Sequence, residues 1–380
     1  MQGNMFDPKL YDAVRRPLGE ASHLPAWCYT SEAFYRAEVE RIFMRTWNFL
    51  GRADQLKKPG DYFTVEMTGI PLIVLRGADG KLSAFVNSCR HRGARLLTGE
   101  GSGRRTIACP YHAWVYGMDG SLLAAQGMDG IADFQLGDHG LQPVRLETWD
   151  GFVFVNFDAG AGSLDEYLGD LPQRMASYDL GSMVTVRRKE YQIDCNWKLL
   201  TENSMEEYHT ATVHRGSIGA QTLTYEKGRG QWEAGHLFSE KSVATLPGEK
   251  GGFPHIKSLT GNAAQGTYFV LLNPCTTLAL AQDSLMWLEL YPLGAARTKL
   301  VVGSAFPRST VERADFEEVV QIYYRRWDKS IPEDNWISEE QQRGLESPLS
   351  KTGRVSRFEP VVHSMANWIL DRVLEVPGKK

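Results

Sequence analysis

The sequence reads CRHRG at residues 89–93 and CPYHAW at residues 109–114. Each stretch contains one cysteine and one histidine: Cys89 with His91, and Cys109 with His112. Thiolates and neutral imidazoles are the ligands that soft and borderline transition metals select. Polar groups at such close spacing are hard to explain by packing, so we expect these side chains to bind metal.

Two kinds of metal centre fit these ligands. One is a structural zinc ion, although zinc fingers normally take both cysteines from one loop and both histidines from a helix. The other is a [2Fe–2S] cluster in which two cysteines hold one iron and two histidines hold the other. Here each loop supplies one residue of each kind. The surrounding β-branched runs, such as residues 62–66 and 71–76, indicate an antiparallel β context, which favours the cluster.

Together the two stretches resemble the cluster-binding motif of the Rieske-type non-haem iron oxygenases, in the terminal oxygenase (alpha) component. The resemblance implies that Cys89 and Cys109 ligate one iron of a Rieske [2Fe–2S] cluster and that His91 and His112 ligate the other. Imidazole ligands raise the potential of such a cluster relative to all-cysteine clusters.

A second group of residues lies in the C-terminal half, where the sequence reads NWKLLTENSMEEYH at residues 196–209 and is followed by His214. On an ideal helix His209 and His214 would point ~140° apart, so they converge only if the helix ends or bends between them. The segment resembles the catalytic domain of the same family. That resemblance implies that both histidines bind a mononuclear Fe(II).

The resemblance also implies a downstream carboxylate that completes a facial triad with open positions for dioxygen. Asp334, with Glu339 five residues later, fits that position best, and Glu333 is the alternative. An aspartate near a helix start is usually a cap or dipole partner, so the structural role stays open at this stage.

Glu206 occupies the position where the family commonly has an aspartate that bridges an iron-ligating histidine to a cluster histidine of the neighbouring subunit. A glutamate here resembles the subgroup that acts on quaternary ammonium compounds such as carnitine or glycine betaine. Adjacent Glu207 is the rival for the bridging role, unless it faces solvent.

The predicted fold is α+β. An N-terminal arm and helix (residues 1–45) precede a Rieske antiparallel β domain (46–157). A catalytic mononuclear iron domain (158–380) follows, for which the resemblance implies a helix-grip-like fold with a central antiparallel sheet and C-terminal helices. Helical patterns in this part cover residues 197–209, 311–327, 333–345 and 361–374.

The implied activity is hydroxylation or oxidative dealkylation of a small organic substrate with O2, with a preference for a quaternary or N-alkyl amine. No flavin or nicotinamide fingerprint is visible, so a separate NAD(P)H-dependent reductase, alone or with a ferredoxin, must supply electrons. A homotrimer is the expected assembly. The alternatives are an aromatic-ring-hydroxylating dioxygenase for a small aromatic acid, a zinc-stabilised binding protein without activity, and a subunit that keeps the cluster but lacks catalysis.

The composition excludes several other classes. A formal net charge of −4 gives no general attraction to nucleic acid or anionic membranes. The longest apolar runs are far shorter than the ~20 residues that span a bilayer. The N-terminus lacks the basic and apolar pattern of a signal peptide. We therefore expect a soluble cytoplasmic protein with no nucleic-acid or membrane partner.

Overall fold

A computed structural model describes residues 4–374 of the chain. The chain divides into two compact units. One unit is Thr46–Ala161, and the other contains the described residues up to Arg45 and from Gly162 onward. The first is built from antiparallel strands and the second from an antiparallel sheet with helices, so the predicted α+β class is confirmed.

The first unit is a β domain. Its strands are β1 (Asn48–Arg52), β2 (Tyr62–Met67), β3 (Ile70–Arg76), β4 (Leu82–Val86), β5 (Glu100–Gly101), β6 (Thr106–Ala108), β7 (Val115–Gly117), β8 (Leu122–Ala124), β9 (Pro143–Trp149) and β10 (Phe152–Asn156). They form one sheet in the order β1-β10-β9-β4-β3-β2-β5 and a smaller sheet in the order β6-β7-β8. The turn at residues 77–80 joins β3 to β4, as its glycine and aspartate predict.

Two loops of this domain carry the cysteine–histidine pairs. The Cys89 loop follows β4, and its backbone folds back on itself because Gly93, at a φ of 73°, donates its N–H to the carbonyl of Cys89 over 2.8 Å. The Cys109 loop joins β6 to β7 and is closed by a bond from the Cys109 N–H to the Trp114 carbonyl. Both cysteines are buried in the hydrophobic core of the domain, whereas His91 is exposed.

The second unit contains the remaining elements. Its strands are β11 (Met183–Ile193), β12 (Thr224–Lys227), β13 (Trp232–Phe238), β14 (Gly266–Leu272), β15 (Thr276–Leu280), β16 (Leu285–Gly294) and β17 (Arg297–Pro307). Its helices are α1 (Trp27–Thr30), α2 (Glu32–Glu38), α3 (Leu164–Leu168), α4 (Leu171–Met175), α5 (Trp197–Asn203), α6 (Arg308–Val311), α7 (Phe316–Leu345) and α8 (Pro360–Val373). The sheet order is β11-β17-β16-β15-β14-β13-β12.

The helix α7 corrects the sequence prediction of two helices, at 311–327 and 333–345. It runs without interruption through Pro332, because buried residues on both sides of the proline, such as Tyr323 and Ser338, keep the helix packed. Tyr323 packs edge-on against Phe306 of β17, with ring centroids 5.1 Å apart. Asp334 is consequently in the interior of a helix, and the capping role considered for it is excluded.

The helix α5 is shorter than the predicted 197–209. It ends at Asn203, itself a residue of low helix propensity, and the Ser204 hydroxyl donates to the Thr201 carbonyl over 2.8 Å. The chain then continues in successive turns to residue 218. Because His209 and His214 lie in these turns, the helical angle between them does not apply.

A buried ion pair anchors α5. Lys198 Nζ lies 2.6 Å from Glu38 Oε1 of α2, and both side chains are fully buried. Trp197 Nε1 donates to the other carboxylate oxygen over 3.1 Å. Burial raises the pKa of the Glu38 carboxyl, and the Lys198 ammonium opposes that rise.

Among the described residues, no helix is both long and apolar enough to cross a membrane.

We expect Lys198→Met to destabilise the catalytic unit by roughly 3–5 kcal/mol, because it leaves the Glu38 carboxylate buried without its partner. The double variant Glu38→Leu with Lys198→Met should recover most of this loss. Thermal unfolding followed by circular dichroism measures both. The exposed pair of Glu340 and Arg343 provides the control, since Glu340→Gln should cost less than about 1 kcal/mol. A Lys198→Met variant as stable as the control would contradict this account of α5.

Candidate metal centres

The thiols of the β domain lie in an environment that favours metal ligation. Burial raises the pKa of the Cys109 thiol, but hydrogen bonds from the backbone N–H groups of Tyr111 and His112 and from Cys89 outweigh it, so the pKa is lowered. The Cys89 sulfur lies 3.2 Å from the Tyr116 hydroxyl. The hydrogen-bond donors around the Cys109 sulfur stabilise its thiolate, the form that binds metal.

The imidazoles of the same two loops meet at the surface of the domain. The Nδ1 atoms of His91 and His112 are 3.1 Å apart, and the His91 ring stacks on Trp114 with centroids 4.9 Å apart. Two nitrogens bound tetrahedrally to one metal ion at ~2.0–2.1 Å would lie about 3.3 Å apart, so this spacing fits a pair of ligands on one ion.

The separation of the thiols from the imidazoles distinguishes the two predicted kinds of centre. A single tetrahedral zinc ion would bring all four ligand atoms within about 4 Å of one another. In residues 4–374, three such atoms lie within 4.8 Å of one another only at His209, His214 and Asp334. The cysteine pair and the histidine pair therefore fit the two irons of a [2Fe–2S] cluster better than one zinc ion.

The second candidate centre is formed by His209, His214 and Asp334. Asp334 Oδ1 lies 3.0 Å from His214 Nε2 and 3.5 Å from His209 Nε2. The two histidines come from the turns after α5, and the aspartate comes from the middle of α7. Two imidazoles and one carboxylate on one side of a site are the donor set of non-haem iron(II) oxygenases.

Hydrogen bonds to two further carboxylates fix both imidazole rings. His209 Nδ1 donates to Glu206 Oε1 over 2.6 Å, and His214 Nδ1 donates to Glu333 Oε2 over 2.7 Å. A proton on each Nδ1 leaves the lone pair on Nε2, the atom that faces Asp334. The rings are thus held in the tautomer that can bind a metal.

The electrostatics of this centre also fit a cation. Burial lowers the pKa of His209, but hydrogen bonds to Asp334 and Glu206 raise it to about 9. Burial would raise the pKa of Asp334, and the two imidazoles lower it instead. When both imidazoles carry their proton on Nδ1, the buried Asp334 Oδ1 faces two Nε2 lone pairs and accepts no hydrogen bond from them. A divalent ion would satisfy this oxygen and displace the imidazole protons.

The structure also places the residues that were open alternatives. Glu207 is buried, and it accepts a hydrogen bond from the Tyr225 hydroxyl, so the alternative that it faces solvent is excluded. Glu333 does not join the group of three ligand atoms and instead supports His214. Sequence reasoning missed this supporting role, although a carboxylate next to a candidate ligand is a signal for it.

A cavity of about 90 Å³ adjoins the second centre. One wall is the sheet, where strand register places Phe269, Ala279 and Met286 side by side on β14, β15 and β16. The α7 side contributes Arg326 in addition to Asp334. Neither Phe269 nor Arg326 belongs to a motif, so the sequence alone does not distinguish them.

Comparisons with known proteins agree with both centres. Residues 46–135 match the Rieske [2Fe-2S] domain, and residues 180–375 match the family described as "Ring hydroxylating alpha subunit (catalytic domain)". The chain therefore belongs to the ring-hydroxylating alpha subunits that carry a Rieske domain. It is an oxidoreductase with a Rieske [2Fe–2S] cluster and a mononuclear iron, and the predicted family and cofactors are confirmed. The alternative of a zinc-stabilised binding protein is not supported.

Individual relatives narrow the comparison. The glycine betaine monooxygenase oxygenase subunit of Chromohalobacter salexigens is 29% identical, over 96% of this chain and 88% of its own. The carnitine monooxygenase oxygenase subunit of Escherichia coli K12 is 31% identical, over 86% of this chain and 85% of its own. A solved structure of the quaternary ammonium Rieske monooxygenase CntA, described with inter-subunit electron transfer, has a TM-score of 0.79 at 26% identity, covering 93% of this chain and 95% of that one.

We expect Asp334→Ala to lose the mononuclear iron and to reduce substrate oxidation at least about 100-fold, because two imidazoles alone hold the ion weakly. The visible spectrum of the cluster should be unchanged. Iron analysis and single-turnover assays measure the two effects, with Glu339→Ala on the same helix as the control. Unchanged oxidation by Asp334→Ala would exclude this residue as a ligand and would favour a subunit without catalysis.

Proposed function

We propose that this chain is the terminal oxygenase component of a system that hydroxylates, and thereby dealkylates, a quaternary or N-alkyl amine. The observation that carries the proposal is the convergence of His209, His214 and Asp334 on one side of a small, largely apolar cavity. The carnitine and glycine betaine monooxygenase subunits support the same substrate class. They favour monooxygenation over aromatic ring dioxygenation.

The proposed ligands of the mononuclear iron are His209, His214 and Asp334. Those of the cluster are Cys89 and Cys109 on one iron and His91 and His112 on the other. When bound, the cluster supplies electrons singly and the mononuclear iron(II) supplies open positions for dioxygen chemistry. Glu206 and Glu333 keep the imidazoles in the ligating tautomer.

The wall of the cavity suits an alkylated ammonium group. Phe269 contributes an aromatic ring to the lining, and Met286 and Leu288 contribute apolar surface that suits N-methyl groups. An ammonium ion is attracted by an aromatic ring within about 6 Å, and the attraction strengthens when water is excluded.

The reaction balances as a monooxygenation. One oxygen atom of O2 is inserted into a C–H bond next to nitrogen, and the other is reduced to water by two electrons and two protons. The resulting α-hydroxyalkyl ammonium breaks its C–N bond and releases an amine, an aldehyde and a proton. The electrons come from a separate reductase, for which we propose an NAD(P)H-dependent protein, alone or with a ferredoxin.

We also propose a homotrimeric ring. A cyclic head-to-tail assembly lets every subunit offer its cluster to the iron of the next one. Inter-subunit electron transfer described for the CntA structure supports this arrangement. Glu206 is the proposed bridge across the interface: its carboxylate accepts hydrogen bonds from the side chain and backbone of His209, and each oxygen keeps a lone pair for a donor on the neighbouring subunit.

Glycine betaine and carnitine should be oxidised by the purified chain with a reductase, with one aldehyde formed for each O2 consumed. Benzoate serves as the comparison for the aromatic alternative and should not be turned over. Oxygen uptake, aldehyde detection and product mass analysis measure the outcome. Turnover of aromatic acids alone would overturn the proposed substrate class.

Glu206→Gln should slow reoxidation of the reduced cluster in a single turnover by roughly 10- to 100-fold, because the neutral amide supports an imidazole less well than a carboxylate. Stopped-flow absorption of the cluster measures this rate, and iron analysis establishes that the mononuclear site is still filled. Glu207→Gln is the matched control. If cluster reoxidation is slow in Glu207→Gln and unchanged in Glu206→Gln, Glu207 rather than Glu206 is the bridging residue.

A further inference from the structure

Arg326 is a buried cation in the cavity beside the candidate iron site. It lies on α7, two helical turns before Asp334, and is 7% exposed. Its one hydrogen bond is a long one of 3.5 Å from Nη1 to the Ser330 hydroxyl, and its Nε has no partner within the described residues. Burial lowers the pKa of the guanidinium to about 10, which leaves it charged at neutral pH.

The other two fully buried cations of the described residues lie near carboxylates. Lys198 Nζ contacts Glu38 over 2.6 Å, and Arg52 Nε lies 3.9 Å from an Asp54 oxygen. In the part of the chain that the structure describes, no carboxylate lies within 4 Å of Arg326. A buried charge without a partner is strongly destabilising, so one that persists in a cavity needs an explanation outside the chain.

Asp334 does not provide that explanation. Its charge stabilises the Arg326 cation from a distance, but its Oδ1 faces the imidazoles of His209 and His214. Once the aspartate ligates a metal ion, less of its charge is available to Arg326. The positive charge of the guanidinium would then lack a negative partner in the cavity.

We propose that Arg326 binds a carboxylate of the substrate, so that the substrate is a zwitterion with an N-alkyl ammonium group at one end and a carboxylate at the other. This inference rests on the proposed function and narrows it, since an amino alcohol such as choline lacks the anionic end. A guanidinium offers a planar fork of N–H donors that matches a carboxylate and binds it with charge-assisted hydrogen bonds.

The position of Arg326 gives the substrate a direction. The eight residues from Arg326 to Asp334 correspond to about 12 Å along the helix axis. That spacing separates the backbone positions, and the arginine side chain shortens it, so we place the anionic end on the Arg326 side of the cavity and the ammonium end on the iron side, near Phe269 and Met286. Such a two-point attachment presents a carbon next to nitrogen to the site of oxidation.

The first test uses the wild-type holoenzyme without oxygen or reductase. Glycine betaine and γ-butyrobetaine are each compared with their methyl esters, which keep the trimethylammonium group but lose the carboxylate charge. Calorimetric titration should show that at least one acid binds roughly 10- to 100-fold more tightly than its ester, the range expected for a charge-assisted hydrogen bond. Esters that bind as tightly as both acids would overturn the inference.

The second test uses variants. Arg326→Gln should weaken binding of the preferred acid, and raise its KM, by roughly 10- to 100-fold, while its ester binds as before. Arg326→Lys should restore part of the affinity, and Arg343→Gln, on the same helix but paired with Glu340 at the surface, is the control. Equal loss for acid and ester, or no loss for either, would show that Arg326 has a structural role only.

Different results would contradict the proposed substrate class and the proposed role of Arg326. If neither acids nor esters bind or are oxidised by the wild type, the proposed substrate class is wrong. If both are bound with equal affinity, the substrate class stands and the role of Arg326 is wrong. The wild-type comparison remains decisive if the Arg326→Gln variant does not fold.

Discussion

Each imidazole of the second centre donates its Nδ1 proton to a carboxylate, and the geometry of the site follows from these two bonds. Without them either ring nitrogen of His209 or His214 could carry the proton, and the rings could rotate. With Glu206 and Glu333 as acceptors, both Nε2 lone pairs face Asp334. The three ligand atoms therefore converge before any metal is present, which reduces the cost of ordering them on binding.

The fold supplies these groups from two places. His209 and its acceptor Glu206 lie together in the turns that follow α5, whose start is fixed by the buried pair of Lys198 and Glu38. Glu333 and Asp334 are consecutive residues on α7, and consecutive helical residues point about 100° apart. One therefore reaches Nδ1 of His214 and the other reaches Nε2 of the same ring. The α7 helix thus holds this imidazole at both nitrogens.

The short motifs carried most of what could be predicted from the sequence. Cysteine and histidine at close spacing identify a metal centre from residue types alone, and the β-branched runs identify the domain around it. The end of α5 at Asn203 and the continuity of α7 through Pro332 were missed, because tertiary packing and side-chain bonds decided both. The position of Glu333 beside Asp334 was a signal for its supporting role, but its contact with His214, 119 residues away, is visible only in the structure. Arg326 belongs to no motif, and its place in the cavity depends on the packing of α7 against the sheet.

The chain combines two chemically different iron centres. The proposed ligands are thiolates and imidazoles for the cluster, and imidazoles and a carboxylate for the mononuclear iron. The buried thiols and the exposed imidazole pair of the β domain suit a centre that exchanges electrons, whereas the cavity beside Asp334 suits a centre that handles substrate. Arg326 adds a positive charge to that cavity, and neither the sequence motifs nor the iron ligands predict this charge.

Metal and sulfide analysis of the anaerobically purified chain tests this combination most directly. The account predicts about three iron atoms and two acid-labile sulfides per chain, with the visible absorption of a Rieske cluster. A colourless protein that contains one zinc ion per chain and no sulfide would contradict it.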